Sequence, residues 1–267
     1  MEKIGLIAGN KKFPLIVAQA AKKNNFHIVA VAIRQDTSRQ LEKFVDKIYW
    51  IGLDEFMRMC EIFKREGIRK VMMAGQISPA RLFSKEVERS EDLKNLLASL
   101  KDKKADTIFV AVAEKLKEFQ IELLDSTAFV KELLPKKGTL TRREPDSWQW
   151  EDIHFGFDLA KEIARLDIGQ TVAVKSKAVV AVEALEGTDN LIRRAAKISR
   201  GGFLLVKVSK PRQDMRFDIP VVGLNTVKNL LKAKAKGLAI EAEKTLFIDF
   251  EESVNLADRK GLVIVAL

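Results

Sequence analysis

The sequence predicts an α/β protein of two domains, in which a parallel sheet covered by helices is followed by a mixed α/β domain. The first half consists of continuous apolar segments separated by helical patterns, and such segments are typical of parallel strands buried on both faces. The second half instead contains hairpin-like pairs of short apolar segments. The length of 267 residues exceeds that of one typical domain, which also favours two.

Four strands and the helices between them define the predicted N-terminal domain. The strands are KIGLIAG, HIVAVAI, KIYWIG and IRKVMMAG. In the helix FPLIVAQAAKK, Pro14 suits a first turn. In the helix DEFMRMCEIFKREG, Asp54 is predicted as the N-cap and Gly67 as the stop. Further helices are predicted between about 87 and 118, and the alternation predicts a Rossmann-like domain over residues 1–130.

A change in the sequence pattern marks the boundary between the two predicted domains. Between about 131 and 150, prolines and a glycine interrupt a stretch of mixed charge that has no clear period. We therefore predict a linker over residues 131–147 and a C-terminal domain over residues 148–267.

The C-terminal domain is predicted to mix helices with strands. A helix in EDIHFGFDLAKEIARLDIG precedes two strands, QTVAVKSKAVVAVEAL, that turn near Ser176 and Lys177. A short helix, EGTDNLIRRAAKISRGG, is followed by the strand FLLVKVS and by a second hairpin-like pair, GLAIEAEKTLFIDF. The helix EESVNLADRKG and the strand LVIVAL complete the mixed α/β domain.

Composition narrows the classes of partner and cofactor. The net charge of +10 favours phosphorylated small molecules, nucleic acid or an anionic membrane surface as partners. No apolar run approaches the roughly 18 residues of a membrane span, and the first residues lack a secretory signal. The single cysteine, Cys60, agrees with a reducing cytoplasm. The two histidines, His27 and His154, form no ligand-like motif, so any metal is predicted to be an oxygen-bound ion such as Mg²⁺.

Two small-residue loops follow predicted strands. In GLIAGNKKFP, Gly9 and Asn10 lead from a strand into a helix N-terminus, where free backbone N–H groups favour an anion. In MMAGQISPARLF, Gly75, Gln76 and Ser78 follow the fourth strand. Ligands bind at this edge of parallel sheets, so we predict a nucleotide cleft, although neither loop carries a dinucleotide or P-loop motif. A tight turn at each loop is the alternative interpretation.

The segment EALEGTDNLIRR, residues 183–194, allows two interpretations. In the ordinary one, Thr188 caps the following helix and Asp189 pairs with Arg193. In the functional one, carboxylates and a helix N-terminus at a strand end jointly hold a metal–phosphate unit. The candidate residues are Glu186, Gly187, Thr188, Asp189, Arg193 and Arg194.

The segment VKVSKPRQDMRFDIPVVG, residues 206–223, concentrates charges of both signs. If residues 212–218 are extended, their side chains alternate between two sides of the chain. The charged side would carry Lys210, Arg212, Asp214, Arg216 and Asp218, and the apolar side Met215, Phe217 and Ile219. A row of exposed salt bridges would contribute only about 0–1 kcal/mol per bridge. Mg²⁺ with a pyrophosphate explains the mixture better, because carboxylates hold the cation while Arg and Lys neutralise phosphate oxygens.

Six segments carry a specific combination of motifs. They are GLIAGNKKFP, MAGQISP, DIHFGFDLAKEIARLDIGQTVAVK, AVEALEGTDNLIRR, VKVSKPRQDMRFDIPVVGLNTV and GLAIEAEKTLFID. Together they closely resemble the LpxI-type UDP-2,3-diacylglucosamine pyrophosphatases, from near residue 3 to the C-terminus. The resemblance implies a Mg²⁺-dependent hydrolase of lipid A biosynthesis, with Mn²⁺ as the alternative ion, that releases UMP and 2,3-diacylglucosamine 1-phosphate (lipid X). It also implies two α/β domains with the ligand site between them. The enzyme is implied to be cytoplasmic and to visit the anionic inner face of the inner membrane, with a homodimer as one option for its assembly.

By position, the resemblance also implies roles for individual residues. QDMRFDIP matches the family segment that supplies an essential aspartate, so we favour Asp218, and then Asp214, for metal coordination or activation of the attacking water. Glu186 and Asp189 are further metal candidates. The residues implied to contact the substrate are Gly9, Asn10, Gly75, Gln76, Gly187, Thr188, Arg193, Arg194, Lys210, Gln213 and Arg216.

Two other functions stay open at this point. A non-catalytic protein could bind a sugar nucleotide or an anionic lipid, with its aspartates merely bracing arginines. Nucleic-acid binding driven by net charge would show a steep dependence on salt. No motif supports it, so we expect no nucleic-acid partner.

Overall fold

The computed structural model describes residues 1–77 and 105–267 of the chain. These residues form two compact units. The first comprises Met1–Lys131 together with Asp214–Asp218, and the second comprises Glu132–Gln213 together with Ile219–Leu267. A short segment from the second half of the sequence is therefore part of the first unit.

The first unit is built on a five-stranded parallel sheet, as the continuous apolar segments predict. Its strand order is β3-β2-β1-β4-β5, and all four pairings are parallel. The strands are β1 (Lys3–Ala8), β2 (His27–Ile33), β3 (Lys47–Ile51), β4 (Lys70–Ala74) and β5 (Glu122–Leu123). The helices are α1 (Phe13–Lys23), α2 (Phe56–Arg65) and α3 (Ala105–Glu118), with a 3-10 turn at Arg39–Lys43.

The ends of α2 test two local predictions. The N-cap of α2 is Glu55 and not Asp54. The Glu55 carboxylate accepts a hydrogen bond from the Gly52 N–H, which precedes the helix, at 2.6 Å. Gly67 follows the last turn with a φ of +70°, which confirms it as the stop. Of the helices predicted between 87 and 118, the portion up to residue 104 lies outside the described residues.

The core of the first unit joins strands, helices and the inserted segment. Val29 and Val31 of β2 pack with Phe63 of α2 in one buried cluster. Phe217, from the inserted segment, belongs to the same cluster, and its ring stacks on Phe109 of α3 with the centroids 5.1 Å apart. Residues 214–218 are therefore held in the first unit by apolar burial.

The second unit contains a six-stranded mixed sheet, which confirms the predicted class of this half. Its strand order is β6-β13-β11-β9-β7-β8, in which β9, β11 and β13 are parallel and β7 runs antiparallel to both of its neighbours. The strands are β6 (Gly138–Thr139), β7 (Thr171–Lys175), β8 (Ala178–Val182), β9 (Leu204–Lys207), β10 (Val221–Val222), β11 (Gly237–Ile240), β12 (Leu246–Phe247) and β13 (Val263–Ala266). The helices are α4 (Ser147–Arg165), α5 (Thr188–Ser199), α6 (Leu224–Lys232) and α7 (Phe250–Lys260).

Two parts of this unit differ from their sequence patterns. The predicted linker, 131–147, contains β6, which pairs with β13 in the main sheet. The segment GLAIEAEKTLFIDF does not form a hairpin, because β11 joins the main sheet while β12 pairs in parallel with β10. An apolar pair of segments alone does not specify which partner each strand takes. Within the two described stretches of chain, no helix has the length and apolar character needed to cross a membrane.

The turn between β7 and β8 lies where the sequence places it, at Ser176 and Lys177. Both residues have φ values near +53°, which is the left-handed backbone of a tight hairpin turn. The buried carboxylate of Asp152, on α4, accepts hydrogen bonds from both of their N–H groups, at 2.8 and 2.6 Å. The carboxylate thus stabilises a turn that lacks the usual Asn-Gly pair.

Candidate functional site

The two predicted small-residue loops of the first unit lie side by side. They follow β1 and β4, which are neighbours in the sheet although β1 connects through α1 to β2 on its other side. The N–H of Gly9 donates to the carbonyl of Ala74 at 2.8 Å, and that of Asn10 to the carbonyl of Gln76 at 2.7 Å. This edge is the topological switch point of the sheet, where open α/β folds bind ligands.

Glycine is required at both loops because the two backbones approach closely. Gly75 has a φ of +82°, and a Cβ there would lie 2.4 Å from the carbonyl oxygen of Asn10. A Cβ on Gly9 would lie 2.5 Å from the carbonyl oxygen of Gln76. Ser78, which the sequence places in the same loop, lies outside the described residues.

Asn10 supplies a buried polar atom at this edge. Its side-chain oxygen Oδ1 is buried and has no hydrogen-bond partner among the residues that the structure describes. Leaving a buried acceptor unpaired is costly, so such atoms usually have an unseen donor in a ligand or a water molecule. The adjoining helix α1 begins at Phe13 and has no side-chain N-cap hydrogen bond, which leaves its N-terminus suited to an anionic group.

The charged segment after β9 folds into two successive turns and is not extended. The N–H of Gln213 bonds to the carbonyl of Lys210 at 3.1 Å, and that of Phe217 to the carbonyl of Asp214 at 3.2 Å. Pro211 is at the second position of one turn and Asp214 is at the first position of the next, as these residue types prefer. The prediction that Lys210, Arg212, Asp214, Arg216 and Asp218 form one row is therefore wrong.

Asp214 is held by Arg216 within the first unit. The Arg216 Nε atom lies 2.9 and 3.1 Å from the two carboxylate oxygens, and Nη2 lies 2.6 Å from Oδ2. The Arg216 N–H also donates to Oδ1 at 3.0 Å. The hydrogen bonds from Arg216 lower the pKa of Asp214, so this carboxylate stays ionised.

Asp218, the favoured catalytic residue, closes the same inserted segment. It is half-buried and has a φ of +51°, a left-handed conformation that Asp tolerates better than most residues. The segment is anchored by Ser126, whose N–H bonds to the carbonyl of Met215 at 2.9 Å and whose hydroxyl bonds to that of Arg216 at 2.6 Å. The backbone that carries both candidate aspartates is thus fixed at its centre.

Lys210 and Gln213 belong to the second unit, because the boundary between the units falls after Gln213. The Lys210 ammonium lies 2.6 Å from Oδ1 of Asp167, and the Lys210 N–H donates to Oε1 of Gln213 at 3.2 Å. These two candidate residues are therefore organised around the first turn.

The residues of the EGTD motif do not converge on one point. The N-cap of α5 is Gly187, with a φ of +81°, and not Thr188. Glu186 forms an ion pair with Arg194. Asp189 accepts hydrogen bonds from Asn225 and Asn229 of α6 at 3.3 and 2.8 Å. The ordinary interpretation is therefore wrong in both respects, since Thr188 is not the cap and Arg193 donates to Oδ1 of Asn190 at 2.8 Å and not to Asp189.

The hydroxyl of Thr188 joins a buried network that the sequence interpretation missed. It donates to Oε1 of Glu183 at 2.7 Å and accepts from the Lys207 ammonium at 2.9 Å. Burial by itself raises the pKa of Glu183, but the Lys207 charge and hydrogen bonds from Thr171, Thr188 and Gln170 together hold that pKa below its ordinary value. The sequence did contain a signal for this network. Lys207 lies inside the apolar strand FLLVKVS, and a buried lysine requires a charged or polar partner.

A second buried network lies at the ends of β9 and β11. The Glu241 carboxylate accepts from the N–H and the hydroxyl of Ser209, both at 2.8 Å, and from the ammonium of Lys161 at 2.9 Å. Burial raises the pKa of Glu241, but the hydrogen bonds from Lys161 and Ser209 outweigh it and lower that pKa. This edge of the second sheet thus carries an ionised carboxylate that accepts several hydrogen bonds.

The predicted metal ligands can be compared with the chemistry of Mg²⁺. Among residues 1–77 and 105–267, no three His, Cys, Asp or Glu side chains form a group that could hold a metal ion. Mg²⁺ often needs only one or two carboxylates, because water and phosphate oxygens complete its shell. Two residues with oxygen ligands of this kind, Asp214 and Asp218, lie on one short segment of the first unit.

Comparison with known families identifies the chain. The model of the LpxI N-terminal domain matches residues 3–133, and that of the LpxI C-terminal domain matches residues 136–265. The chain belongs to the LpxI family. A relative in this family, UDP-2,3-diacylglucosamine pyrophosphatase LpxI of Caulobacter vibrioides, is 29% identical over an alignment that covers 100% of this chain and 98% of that protein.

Solved structures show only weak similarity to this LpxI family member. The biotin carboxylase domain of Hydrogenobacter thermophilus 2-oxoglutarate carboxylase is 16% identical, with a TM-score of 0.27, over 74% of this chain and 41% of that chain. N5-carboxyaminoimidazole ribonucleotide synthetase from Thermotoga maritima is 16% identical, with a TM-score of 0.26, over 70% and 43%. At these scores the similarity supports no inference about function.

Proposed function

We propose that this chain hydrolyses the pyrophosphate bond of UDP-2,3-diacylglucosamine in lipid A biosynthesis, with Mg²⁺, and releases UMP and 2,3-diacylglucosamine 1-phosphate. One observation carries the proposal: both LpxI domains match, and a relative named for this activity aligns over the whole chain. The ionised, arginine-braced carboxylate of the first unit agrees with it, because phosphoryl transfer relies on charge placement.

The switch-point edge of the first unit is proposed to bind the uridine monophosphate part of the substrate. The unpaired oxygen of Asn10 would accept a hydrogen bond from a uracil N–H or a ribose hydroxyl. The N-terminus of α1, which has no side-chain cap, would face a phosphate. Gly9 and Gly75 allow the backbone to approach the ligand without a Cβ in the way.

The inserted segment is proposed to carry the chemistry. A water oxygen bonds to a phosphorus of the diphosphate, and the bridging P–O bond breaks with its electron pair and the bridging oxygen leaving on the other phosphate. One proton of the water passes to the carboxylate of Asp218. Asp214 and Asp218 would hold the Mg²⁺, which when bound polarises the diphosphate and offsets its charge. Arg216 keeps Asp214 ionised and correctly oriented.

Cations of the second unit are proposed to steady the phosphates. Lys210 and Arg194 are each oriented by a carboxylate, Asp167 and Glu186 respectively. Arg193 is exposed and donates only to Asn190 in the described chain. Its guanidinium suits two phosphate oxygens at once, because its donors form a planar fork.

The decisive experiment measures UMP release by the purified protein. We expect turnover of UDP-2,3-diacylglucosamine with Mg²⁺ and its loss in EDTA. Asp218→Asn should lower kcat by at least about a hundredfold, as removal of a general base commonly does. Asp249→Asn is the matched control, because Asp249 has a nearly identical left-handed φ of +53° but lies at the start of α7.

Two outcomes would refute this proposal. Tight binding of the sugar nucleotide without turnover, under any divalent ion, would favour a non-catalytic binding protein. Unchanged kcat in folded Asp218→Asn and Asp214→Asn variants would instead reject the assigned residues while leaving the activity intact.

A further inference from the structure

Three large apolar side chains of the second unit are exposed on two neighbouring loops. Leu166 and Ile168, between α4 and β7, are 53% and 50% exposed. Leu185, between β8 and α5, is 67% exposed. Single exposed apolar residues are common, whereas several on adjoining loops mark an interaction surface.

The contacts between these loops show that the three side chains share one edge. The N–H of Glu183 donates to the carbonyl of Thr171 at 2.8 Å, which pairs the start of β7 with the end of β8. Gly169 lies so close that a Cβ there would be 2.0 Å from the Glu183 carbonyl oxygen. Leu166 and Ile168 therefore project from the same end of the sheet as Leu185. We call these three residues the apolar loop surface.

Positive charge borders the apolar loop surface. The ion pair between Lys210 and Asp167, at 2.6 Å, places the turn that carries the exposed Arg212 beside Leu166 and Ile168. Arg193 is exposed on the helix that follows Leu185. In the portion of the chain that the structure describes, neither arginine has a carboxylate partner.

Neighbouring carboxylates cancel only part of this charge. Asp167 is neutralised by Lys210 and Glu186 by Arg194. Glu162, on the last turn of α4, pairs with Arg165 at 2.9 Å. Asp189, on the first turn of α5, accepts hydrogen bonds only from the uncharged Asn225 and Asn229 among the described residues, so with Arg193 and Arg212 it leaves an excess of one positive charge at this edge. The whole chain also has a net positive charge, +10.

We propose that the apolar loop surface docks on an anionic lipid bilayer. Leucine and isoleucine on loops insert among acyl chains while the flanking Arg212 contacts a lipid phosphate, which is the combination that membrane-surface proteins use. The inference rests on the proposed function, because a substrate with two acyl chains resides in a bilayer. Docking at this edge brings the ends of β9 and β11 close to the lipid surface.

Vesicle binding tests the proposal directly, without substrate. Wild-type protein should cosediment with phosphatidylglycerol-containing vesicles, bind more weakly as salt rises, and bind little to pure phosphatidylcholine. A variant with Leu166→Ser, Ile168→Ser and Leu185→Ser should lose at least about tenfold in partition coefficient. Ile198→Ser is the matched control, since Ile198 is 60% exposed near the far end of α5.

Activity measurements separate this inference from the proposed function. The triple variant should keep wild-type kcat on a short-chain, dispersed substrate and lose rate only on substrate in vesicles. Absence of UMP release from the dispersed substrate would defeat the proposed function, whatever the vesicle result. Equal vesicle binding by the triple variant and wild type would overturn the docking surface. The same conclusion would follow if the three substitutions altered only the oligomeric state of the protein in solution.

Discussion

Asp214 and Arg216 form a two-pronged ion pair inside a single turn of the first unit. Two guanidinium nitrogens and the backbone N–H of Arg216 all reach the same carboxylate. The arrangement lowers the pKa of Asp214 and raises that of Arg216. Asp214 is consequently a hydrogen-bond acceptor at neutral pH, and not a proton donor.

Replacing Arg216 with lysine should alter the pH dependence of the reaction. Lysine keeps the charge but cannot form the planar fork, so the pKa of Asp214 should rise towards its ordinary value. If the ionised carboxylate is needed, the acid limb of kcat/KM moves to higher pH. At pH 7 we expect roughly a tenfold loss, since a charge-assisted hydrogen bond contributes about 1.5–3 kcal/mol. Rate profiles must extend below the ordinary pKa of Asp214, 3.8, and an acid limb that stays in place there would contradict a role for Arg216 through Asp214.

The switch-point edge of the first unit could be predicted from the sequence because its signals are local. Continuous apolar strands predict a parallel sheet, and carboxyl ends of parallel strands meet at one edge. Gly9 and Gly75 then indicate where two backbones approach. The unpaired oxygen of Asn10 could not be predicted, since it depends on the exact packing of that edge.

The path of residues 210–218 could not be predicted by alternation of charge. Pro211 and Asp214 favour turns, and that local signal outweighed the period-two pattern. Phe217 packs on Phe109, more than a hundred residues earlier in the chain, so its burial in the first unit is a long-range effect. The sequence predicted the position of the turn between β7 and β8 but not what stabilises it. The stabilising carboxylate, Asp152, lies on α4, more than twenty residues earlier in the chain.

Gly75→Ala should weaken both stability and substrate binding. The left-handed backbone costs alanine about 1–2 kcal/mol, and the clash of its Cβ with the Asn10 carbonyl adds about 1–3 kcal/mol. Gly67→Ala is the matched control, because Gly67 has a φ of +70° with no atom near its virtual Cβ. Gly67→Ala should therefore lose only the backbone cost of about 1–2 kcal/mol in free energy of unfolding, and its KM should equal that of the wild type. Urea unfolding and KM measurements distinguish them, and identical behaviour of the two variants would exclude a special role for the Gly75 loop.

Glu183→Gln should destabilise the second unit in a pH-dependent way. At pH 7 the change leaves the buried Lys207 ammonium without a carboxylate, at a cost of about 3–5 kcal/mol. The folded-state pKa of Glu183 is lowered, so its stabilisation is present above the unfolded value, about 4.3. That stabilisation is lost as the pH falls through the folded-state pKa.

Urea midpoints at several pH values test the Glu183 prediction. The difference in urea midpoint between wild type and Glu183→Gln should be largest at pH 7 and should decrease below about pH 4. Adding Lys207→Met to Glu183→Gln should recover part of the loss, because the unpaired charge is removed. If the difference in urea midpoint stayed constant from pH 7 to pH 3, the charge of the Glu183 carboxylate would not be what stabilises the network.

Cys60 should report the opening of the first unit. It is the one cysteine of the chain, it is fully buried, and burial raises the pKa of its thiol to about 11. At pH 8 only about one thiol in a thousand is ionised, so Ellman's reagent should react only after opening. Leu116→Ala, in the same buried cluster, should speed labelling by about thirtyfold or more, the equivalent of at least about 2 kcal/mol. The exposed Lys117→Ala should not, and rapid labelling of the native wild type would show that Cys60 is accessible without opening.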